Sequence, residues 1–195
     1  PSFPAGSIRI NEVMADPKGQ KAFPETEYVE LYNTTDKAIE LNGWSFLYGS
    51  KPTVLTALLL DADGYVVLYR SGRDIHIDDA GLDLPLDKFP ASLVNTGKEL
   101  ALFDPSGKEI DRIAYEKAKV GIAWERSETG FHLSTDERGG TPGSANSSPD
   151  DEPEDPDRPD TPHKPGIPTD IIVLPNEIVF NELLPNPYPE GSEYI

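Results

Sequence analysis

Apolar and polar residues alternate with a period near two along the first 134 residues of the chain. At the start, Ile8, Ile10 and Glu12 alternate with Arg9, Asn11 and Val13. A period of two is typical of strands with one buried face, whereas helices repeat near 3.6 residues. The same pattern predicts strands in segments 28–32, 44–48, 53–60 and 65–69. The chain is therefore predicted to begin with an all-β domain.

Turn residues separate these predicted strands. Residues 61–64, Asp-Ala-Asp-Gly, predict a tight hairpin in which Gly64 takes a positive φ angle. Residues 104–107, Asp-Pro-Ser-Gly, predict a second turn between two apolar runs. The longest interruption, residues 71–93, is predicted to be a loop that crosses between sheets. Short strands at this spacing usually form a sandwich of antiparallel sheets.

The composition changes after residue 146, where proline and acidic residues become frequent. Prolines recur at every third position: Pro153, Pro156, Pro159, Pro162, Pro165 and Pro168. Because polyproline II has three residues per turn, they would lie along one face of an extended rod, roughly 60 Å long over residues 149–168. We predict an acidic spacer over residues 149–176. A docking segment for a proline-binding domain is the alternative, which the scarcity of basic flanking residues disfavours.

The end of the chain repeats its beginning. Six residues near the start recur in the same order near the end, where Ile178, Asn181, Glu182, Pro187, Glu193 and Tyr194 match Ile8, Asn11, Glu12, Pro17, Glu27 and Tyr28. The repeat predicts three parts: a first domain over residues 1–148, the spacer over 149–176, and the first strands of a truncated second copy over 177–195.

An isolated starting strand leaves backbone groups and an apolar side without partners. We therefore expect residues 178–184 to pair with a sheet edge, either of this domain or of a neighbouring molecule. Ile178, Phe180 and Leu183 are the predicted interaction residues of this segment.

The charge of the chain narrows the choice of partners. With 35 acidic and 17 basic residues, the formal net charge is -18. Because proteins bind nucleic acid by neutralising phosphates with Lys and Arg, we expect neither nucleic acid nor an anionic membrane surface as a partner. No apolar run approaches the roughly 20 residues of a transmembrane segment. Since the chain starts at Pro1 without a signal-type segment, we expect it to begin inside a longer protein whose export signal has been removed.

Acidic clusters are the candidates for metal binding. Glu12, Asp16, Glu25, Glu27 and Glu30 fall on two predicted strands and their connecting loop, where carboxylates could gather around Ca²⁺. A solvated acidic edge is the alternative, favoured because no fixed ligand spacing is present. The long loop supplies the next candidates for a weak ion site, Asp74, Asp78, Asp79 and Asp83.

Catalysis and aromatic recognition are the remaining functional classes. The sequence contains no Gly-x-Ser-x-Gly motif, and its histidines lie far apart, so we predict a non-catalytic chain without a cofactor. Trp44 and Trp124 are predicted to pack in the core rather than to stack on sugars. An exposed aromatic ladder across strands is the better candidate surface, formed by Tyr28, Tyr32, Tyr48, Tyr65 and Tyr69.

An ordered series of short motifs resembles the lamin tail domain, an immunoglobulin-like module of nuclear lamins and of many exported bacterial proteins. The resemblance covers about residues 7–146. The matching segments are residues 10–13 (Ile-Asn-Glu-Val), 27–33 (Glu-Tyr-Val-Glu-Leu-Tyr-Asn), 39–45, 64–68, 107–115, 124–126 (Trp-Glu-Arg) and 141–146 (Thr-Pro-Gly-Ser-Ala-Asn).

The resemblance implies an immunoglobulin-like antiparallel β-sandwich, followed here by the extended Pro/Asp-rich segment and an isolated strand. It also implies a structural or interaction module of a bacterial cell-surface or secreted protein, with protein or carbohydrate as partner. Two alternatives remain open: an accessory domain of an exported hydrolase whose catalytic part lies elsewhere, and a Ca²⁺-stabilised adhesive module.

Overall fold

The computed structural model describes residues 2–20, 22–77 and 81–147, and these residues form an all-β domain. None of them is helical, so the described part contains no helix that could cross a membrane. The predicted all-β class is confirmed. The predicted spacer and second copy, with Ile178, Phe180 and Leu183, lie outside the described residues, as do Asp78 and Asp79.

The described residues form twelve strands. They are β1 (Ile8–Met14), β2 (Tyr28–Asn33), β3 (Ile39–Glu40), β4 (Ser45–Tyr48), β5 (Lys51–Val54), β6 (Leu59–Leu60), β7 (Tyr65–Arg70), β8 (Leu82–Leu86), β9 (Lys98–Phe103), β10 (Glu109–Tyr115), β11 (Trp124–Ser127) and β12 (Gly130–Leu133).

Two sheets face each other across one apolar core, as in an immunoglobulin-like sandwich. The larger sheet has the order β12-β11-β1-β2-β7-β8, and the smaller has the order β10-β9-β4-β5. A short pair, β3 with β6, forms a separate two-stranded sheet. The pairs are antiparallel except that β8 runs parallel to β7. The candidate functional site described below lies on the outer face of the larger sheet.

The prediction of a loop over residues 71–93 is wrong in its centre, which contains β8. The strand forms because Leu82, Leu84 and Leu86 alternate with other residues, and Leu84 and Leu86 are buried against the core. A parallel partner requires a long crossover connection rather than a hairpin. The chain between β7 and β8 makes this connection, which explains why the segment was predicted to be a loop.

The predicted strand 53–60 and the turn after it also need correction. The segment divides into β5 and β6, which belong to different sheets, so residues 61–64 link two sheets instead of closing a hairpin. The positive φ angle, 53°, falls on Asp63 and not on Gly64. A side chain at Gly64 would instead meet the carbonyl oxygen of Asp61 at 2.9 Å.

The turn at residues 104–107 is confirmed as the β9–β10 hairpin. The Asp104 carboxylate accepts hydrogen bonds from the backbone N–H of Ser106 (2.8 Å) and of Lys108 (3.0 Å). A short acceptor side chain at the first turn position stabilises the turn in this way.

Large apolar side chains from both sheets fill the core. Phe46 on β4 and Trp44 just before it are fully buried, as are Leu31 and Leu68 from the larger sheet. The prediction of a core position is confirmed for Trp44, while Trp124 is only partly buried and packs against the edge of the core.

A third layer covers the outer face of the larger sheet. Met14, Tyr28, Val67, Tyr69 and Ala123 form a second apolar cluster there, against which Ile75 and Ile77 pack. Residues 139–147, called the exit strap below, cross the same face. The strap meets the crossover connection closely, since a Cβ added to Gly81 would lie 2.4 Å from the Cα of Gly143.

Replacing Trp44 by Ala should lower the free energy of unfolding by about 3 to 5 kcal/mol, because a large cavity remains in a core that cannot fully collapse. Urea unfolding followed by tyrosine and tryptophan fluorescence measures the change. Val54→Ala is the matched control on the smaller sheet. Its side chain is 60% exposed, so its loss should change stability by about 0.5 kcal/mol or less. Equal effects of the two substitutions would contradict this core assignment.

Candidate functional site

Three glutamates lie side by side on the outer face of the larger sheet. Glu12 on β1 is the cross-strand partner of both Glu30 on β2 and Glu125 on β11. Directly opposed residues have Cβ atoms about 4.5 to 5.5 Å apart. All three side chains are 0% exposed. We call Glu12, Glu30 and Glu125 the carboxyl row.

A β-bulge places Glu12 in the row. Strict alternation predicted that Glu12 would share a face with Ile8 and Ile10, which point into the core. The register of β1 against β2 shifts between Ile10 and Glu12, with Asn11 as the extra residue. A bulge of this kind reverses the faces of the residues beyond it. Glu12 therefore turns outward and Val13 packs in the core.

Neighbouring side chains and the strap bind the first two carboxyls. The Tyr28 hydroxyl donates to Glu12 Oε1 at 2.5 Å, and the Thr141 backbone N–H lies 3.2 Å from both oxygens of Glu12. Asn11 Nδ2 donates to Glu30 Oε1 at 2.7 Å, while the Gly143 N–H donates to Glu30 Oε2 at 2.6 Å.

The strap also binds the third carboxyl. Ser147 donates to Glu125 Oε2 from its backbone N–H (2.8 Å) and from its hydroxyl (2.5 Å). The Thr141 hydroxyl lies 3.1 Å from Glu12 Oε2 and 3.1 Å from Glu125 Oε1. Each of the six carboxyl oxygens thus has a hydrogen-bond partner, which is what burial of a carboxyl requires.

The end of the strap is fixed by an asparagine pair. Asn146 Nδ2 donates to the carbonyl oxygen of Arg126 at 2.9 Å, and Asn11 Nδ2 donates to Asn146 Oδ1 at 2.9 Å. At the other end the backbone approaches the row so closely that Gly140 has no room for a side chain. A Cβ there would lie 2.5 Å from Glu12 Oε1 and 2.9 Å from the Tyr28 hydroxyl.

Burial raises the pKa of two carboxyls of the row, Glu12 and Glu30. Desolvation, and after it the neighbouring Glu125, raises the pKa of Glu12 from 4.5 to about 8, against the hydrogen bonds from Tyr28 and Thr141. Desolvation and the proximity of Glu12 raise the pKa of Glu30 well above its usual value. Burial and the same carboxyls raise the pKa of the Tyr28 hydroxyl. Glu12 and Glu30 therefore retain protons at pH values where exposed glutamates are ionised.

The carboxylates predicted to gather around Ca²⁺ fall into separate places. Glu12 and Glu30 belong to the row. Asp16 accepts a hydrogen bond from Asn95 Nδ2 (2.7 Å) and Glu27 accepts one from the Leu93 N–H (3.0 Å), and both line an open cleft of about 680 Å³. Within residues 2–20, 22–77 and 81–147, no group of three or more His, Cys, Asp or Glu side chains is arranged to hold a metal ion.

The predicted exposed ladder of five tyrosines is wrong. Tyr28 and Tyr69 are 1% and 7% exposed, since the strap and the crossover connection cover that part of the sheet. Tyr48 lies on the smaller sheet, where its hydroxyl accepts the Val94 N–H at 2.6 Å. Only Tyr32 and Tyr65 form a cross-strand pair of partly exposed rings, stacked with centroids 4.7 Å apart.

Sequence reasoning missed Glu125 and the strap as parts of one site. Glu30 lies within an apolar run, Tyr-Val-Glu-Leu-Tyr, and Glu125 follows a tryptophan. A carboxyl among apolar residues of a strand is a sign that it is buried and bonded, because such a position otherwise carries a high desolvation cost. The Gly-Gly-Thr-Pro-Gly sequence at 139–143 was the second sign, since successive glycines permit close backbone approach.

Replacing Thr141 by Val should lower the free energy of unfolding by about 1 to 3 kcal/mol, because buried carboxyl oxygens lose a hydroxyl partner while the side-chain shape is kept. Thr141→Ser is the matched control. It keeps the hydroxyl and removes one methyl group, at a cost of about 1 kcal/mol. Denaturant unfolding of both variants measures the difference, and a valine variant as stable as the serine variant would contradict the bonded row.

Calcium should raise the melting temperature no more than the same concentration of magnesium. The oxygens of Glu12 and Glu30 already accept protein hydrogen bonds, so a cation would have to displace those donors. A ligand specific for the native state must raise the melting midpoint. A thermal melt in each salt makes the comparison, and a larger shift with calcium would show a site that the described residues do not account for.

Comparison with known proteins agrees with this architecture. No curated protein matches the chain. A sequence model of the Lamin Tail Domain matches residues 1–117, which include β1 to β10, while β11, β12 and the strap follow the matched span. Immunoglobulin-like domains of this kind are generally non-catalytic structural or interaction modules. Since the matched residues make up more than half of the chain, the chain belongs to the Lamin Tail Domain family.

Proposed function

We propose that this chain is a non-catalytic module of a multidomain bacterial cell-surface or secreted protein, which spaces or presents neighbouring domains and binds a protein or glycan partner. The observation that carries the proposal is the docking of the exit strap on the carboxyl row. The strap directly precedes the acidic tract in the sequence, and its Gly143 and Ser147 are held by hydrogen bonds to Glu30 and Glu125. We infer that the start of the tract is therefore held at a fixed point of the domain.

A fixed exit point suits a spacer. The last described residue, Ser147, is bonded to Glu125 through both its backbone and its side chain. The proposed spacer begins at residue 149, so one residue separates it from this anchor. A polyproline rod keeps its direction over several residues. An anchored rod would pass the orientation of the sandwich to the next module, whereas a rod on a free hinge would not.

The use of the carboxyls inside the domain supports a non-catalytic function. A pair of carboxyls can cleave a glycosidic bond only if both face a substrate in a cleft. Glu12, Glu30 and Glu125 are fully buried beneath the strap, and protein donors bind their oxygens. This arrangement stabilises structure and leaves the row closed to a substrate.

The resemblance to bacterial exported members of the family supports a location outside the cell or in its envelope. The net charge of -18 keeps a chain soluble and disfavours contact with nucleic acid.

Strand pairing by residues 178–184 with a sheet edge, either of this domain or of a neighbouring molecule, is part of the proposal. Among the edge strands of the described residues, β12 is best able to accept an added strand. Pro52 in β5 and Pro85 in β8 lack the N–H that an added strand needs. At the edge strand β10, the Ile110 carbonyl oxygen already accepts the Gly6 N–H at 2.7 Å. β12 ends the larger sheet next to β11 and contains no proline.

Small-angle X-ray scattering of the whole chain tests the spacer. A polyproline rod over residues 149–168 would span roughly 60 Å, whereas a glycine-rich coil of the same length spans about 25 Å. Replacing the six regularly spaced prolines by glycine should therefore shorten the maximum dimension of the molecule. The matched control replaces the acidic residues of the tract by their amides and keeps the prolines, and it should retain most of the length. An unchanged dimension in the glycine variant would refute the spacer.

A further inference from the structure

The Thr141 hydroxyl contacts two carboxyls of the row at once. It lies 3.1 Å from an oxygen of Glu12 and 3.1 Å from an oxygen of Glu125. A hydroxyl has one proton, so it either shares that proton between two acceptors or donates to one oxygen and accepts from the other. A proton on either carboxyl would make both contacts full hydrogen bonds. The docked geometry therefore suits a row that holds a proton.

The burial and spacing of the three carboxyls also favour a retained proton. Three carboxyls occupy adjacent strands at full burial, and the donors described for their oxygens are neutral: Asn11, Tyr28, Thr141, Gly143 and Ser147. Like charges at this spacing in a low-dielectric site cannot all remain ionised. The raised pKa of Glu12, about 8, and that of Glu30 have the same cause.

Other titratable groups surround the row. The strap itself, residues 139–147, contains no ionisable side chain. The described residues of the elements packed around it contribute Arg9, Tyr28, Tyr32, Tyr65, Tyr69, Asp74, His76, Asp83, His132 and, just before the strap, Arg138. His132 is the cross-strand partner of Glu125. Asp83 is bonded to the Tyr69 hydroxyl (2.8 Å), and Arg138 is bonded to Asp136.

We propose that the exit strap is a proton-operated latch, docked on Glu12, Glu30 and Glu125 while the row holds a shared proton and released as the pH rises. Release exposes the carboxyls to water and frees the backbone N–H groups of Thr141, Gly143 and Ser147. The point from which the chain leaves the sandwich then ceases to be fixed. The latch acts in the described domain and does not depend on whether the following tract is a rod.

The direction of the effect follows from the raised pKa. A carboxyl that titrates higher in the docked state than in water stabilises docking fully below its solvated pKa near 4.5 and ceases to do so as the pH rises through about 8. Between these values, each proton lost on release makes the docking constant fall about tenfold per pH unit. Docking is therefore strongest in acid and weakest in alkaline solution.

Amide hydrogen exchange, followed by NMR on the whole chain and corrected for intrinsic rates, tests the latch. From about pH 5.5 to about pH 7, protection of the Thr141, Gly143 and Ser147 amides should fall about tenfold per unit. The Leu31 amide in the centre of the larger sheet should stay at least about a hundredfold more protected, because the strap opens without global unfolding. Equal exchange of strap and sheet amides, or strap protection that is independent of pH, would overturn the proposal.

Two substitutions assign the titration to the row. Glu12→Gln has the shape of the protonated side chain and can donate to the Thr141 hydroxyl. Because one titrating carboxyl is removed, the pH dependence of strap protection should weaken by a factor of about ten per pH unit. Glu27→Gln is the matched control, since burial also raises the pKa of Glu27 but this residue lies in the separate cleft. It should leave the slope unchanged. An unchanged slope in Glu12→Gln, or an equal loss in Glu27→Gln, would overturn the latch.

A direct titration keeps the proposal testable if the Glu12 variant does not fold. Carbon-13 NMR of the glutamate carboxyls in the unmodified chain reports the ionisation of each one. The Glu12 carboxyl should titrate well above its usual range, together with a shift of the Thr141 and Gly143 amide signals. Ionisation of Glu12 near its usual value would overturn the latch, whatever the scattering result for the spacer.

Discussion

Burial of three carboxyls in one row is the constraint on which the outer face of this domain depends. Glu12, Glu30 and Glu125 lie on adjacent strands and are shielded from water, a placement that is costly unless every oxygen has a partner. The sheet supplies some of these partners, and the exit strap supplies the rest. Because the strap covers the carboxyls and the carboxyls hold the strap, neither is stable in this arrangement without the other.

Several local features serve this mutual dependence. The bulge at Asn11 turns Glu12 out of the core and frees the Asn11 side chain to bond Glu30 and Asn146. The absence of a side chain at Gly140 lets the strap come within reach of Glu12. The motifs on which the family resemblance rests, Asn-Glu, Val-Glu-Leu, Trp-Glu-Arg and Thr-Pro-Gly-Ser-Ala-Asn, thus meet at one site in the fold. Their separation along the sequence hides a single hydrogen-bond network.

The network links stability to the proposed task of the domain. A module that spaces its neighbours needs a defined exit as much as a stable core, and here the core alone does not define the exit. The apolar layer between the sheets fixes the sandwich, while the outer face fixes the position of residues 139–147. If the row binds the strap through a shared proton, this second function depends on pH while the core does not.

The sequence by itself determined the all-β class, the β9–β10 hairpin, the core position of Trp44 and the family, because alternation, turn chemistry and side-chain size act over a few neighbouring residues. It did not determine β8, whose parallel pairing depends on a distant strand, nor the burial of Tyr28 and Tyr69, which a later segment covers. The carboxyl row was hidden for the same reason. One extra residue in β1 reverses the face of Glu12, and residues separated by more than a hundred positions then satisfy it. Such pairings are decided by the tertiary structure, since only the complete set of partners makes burial of a carboxyl favourable.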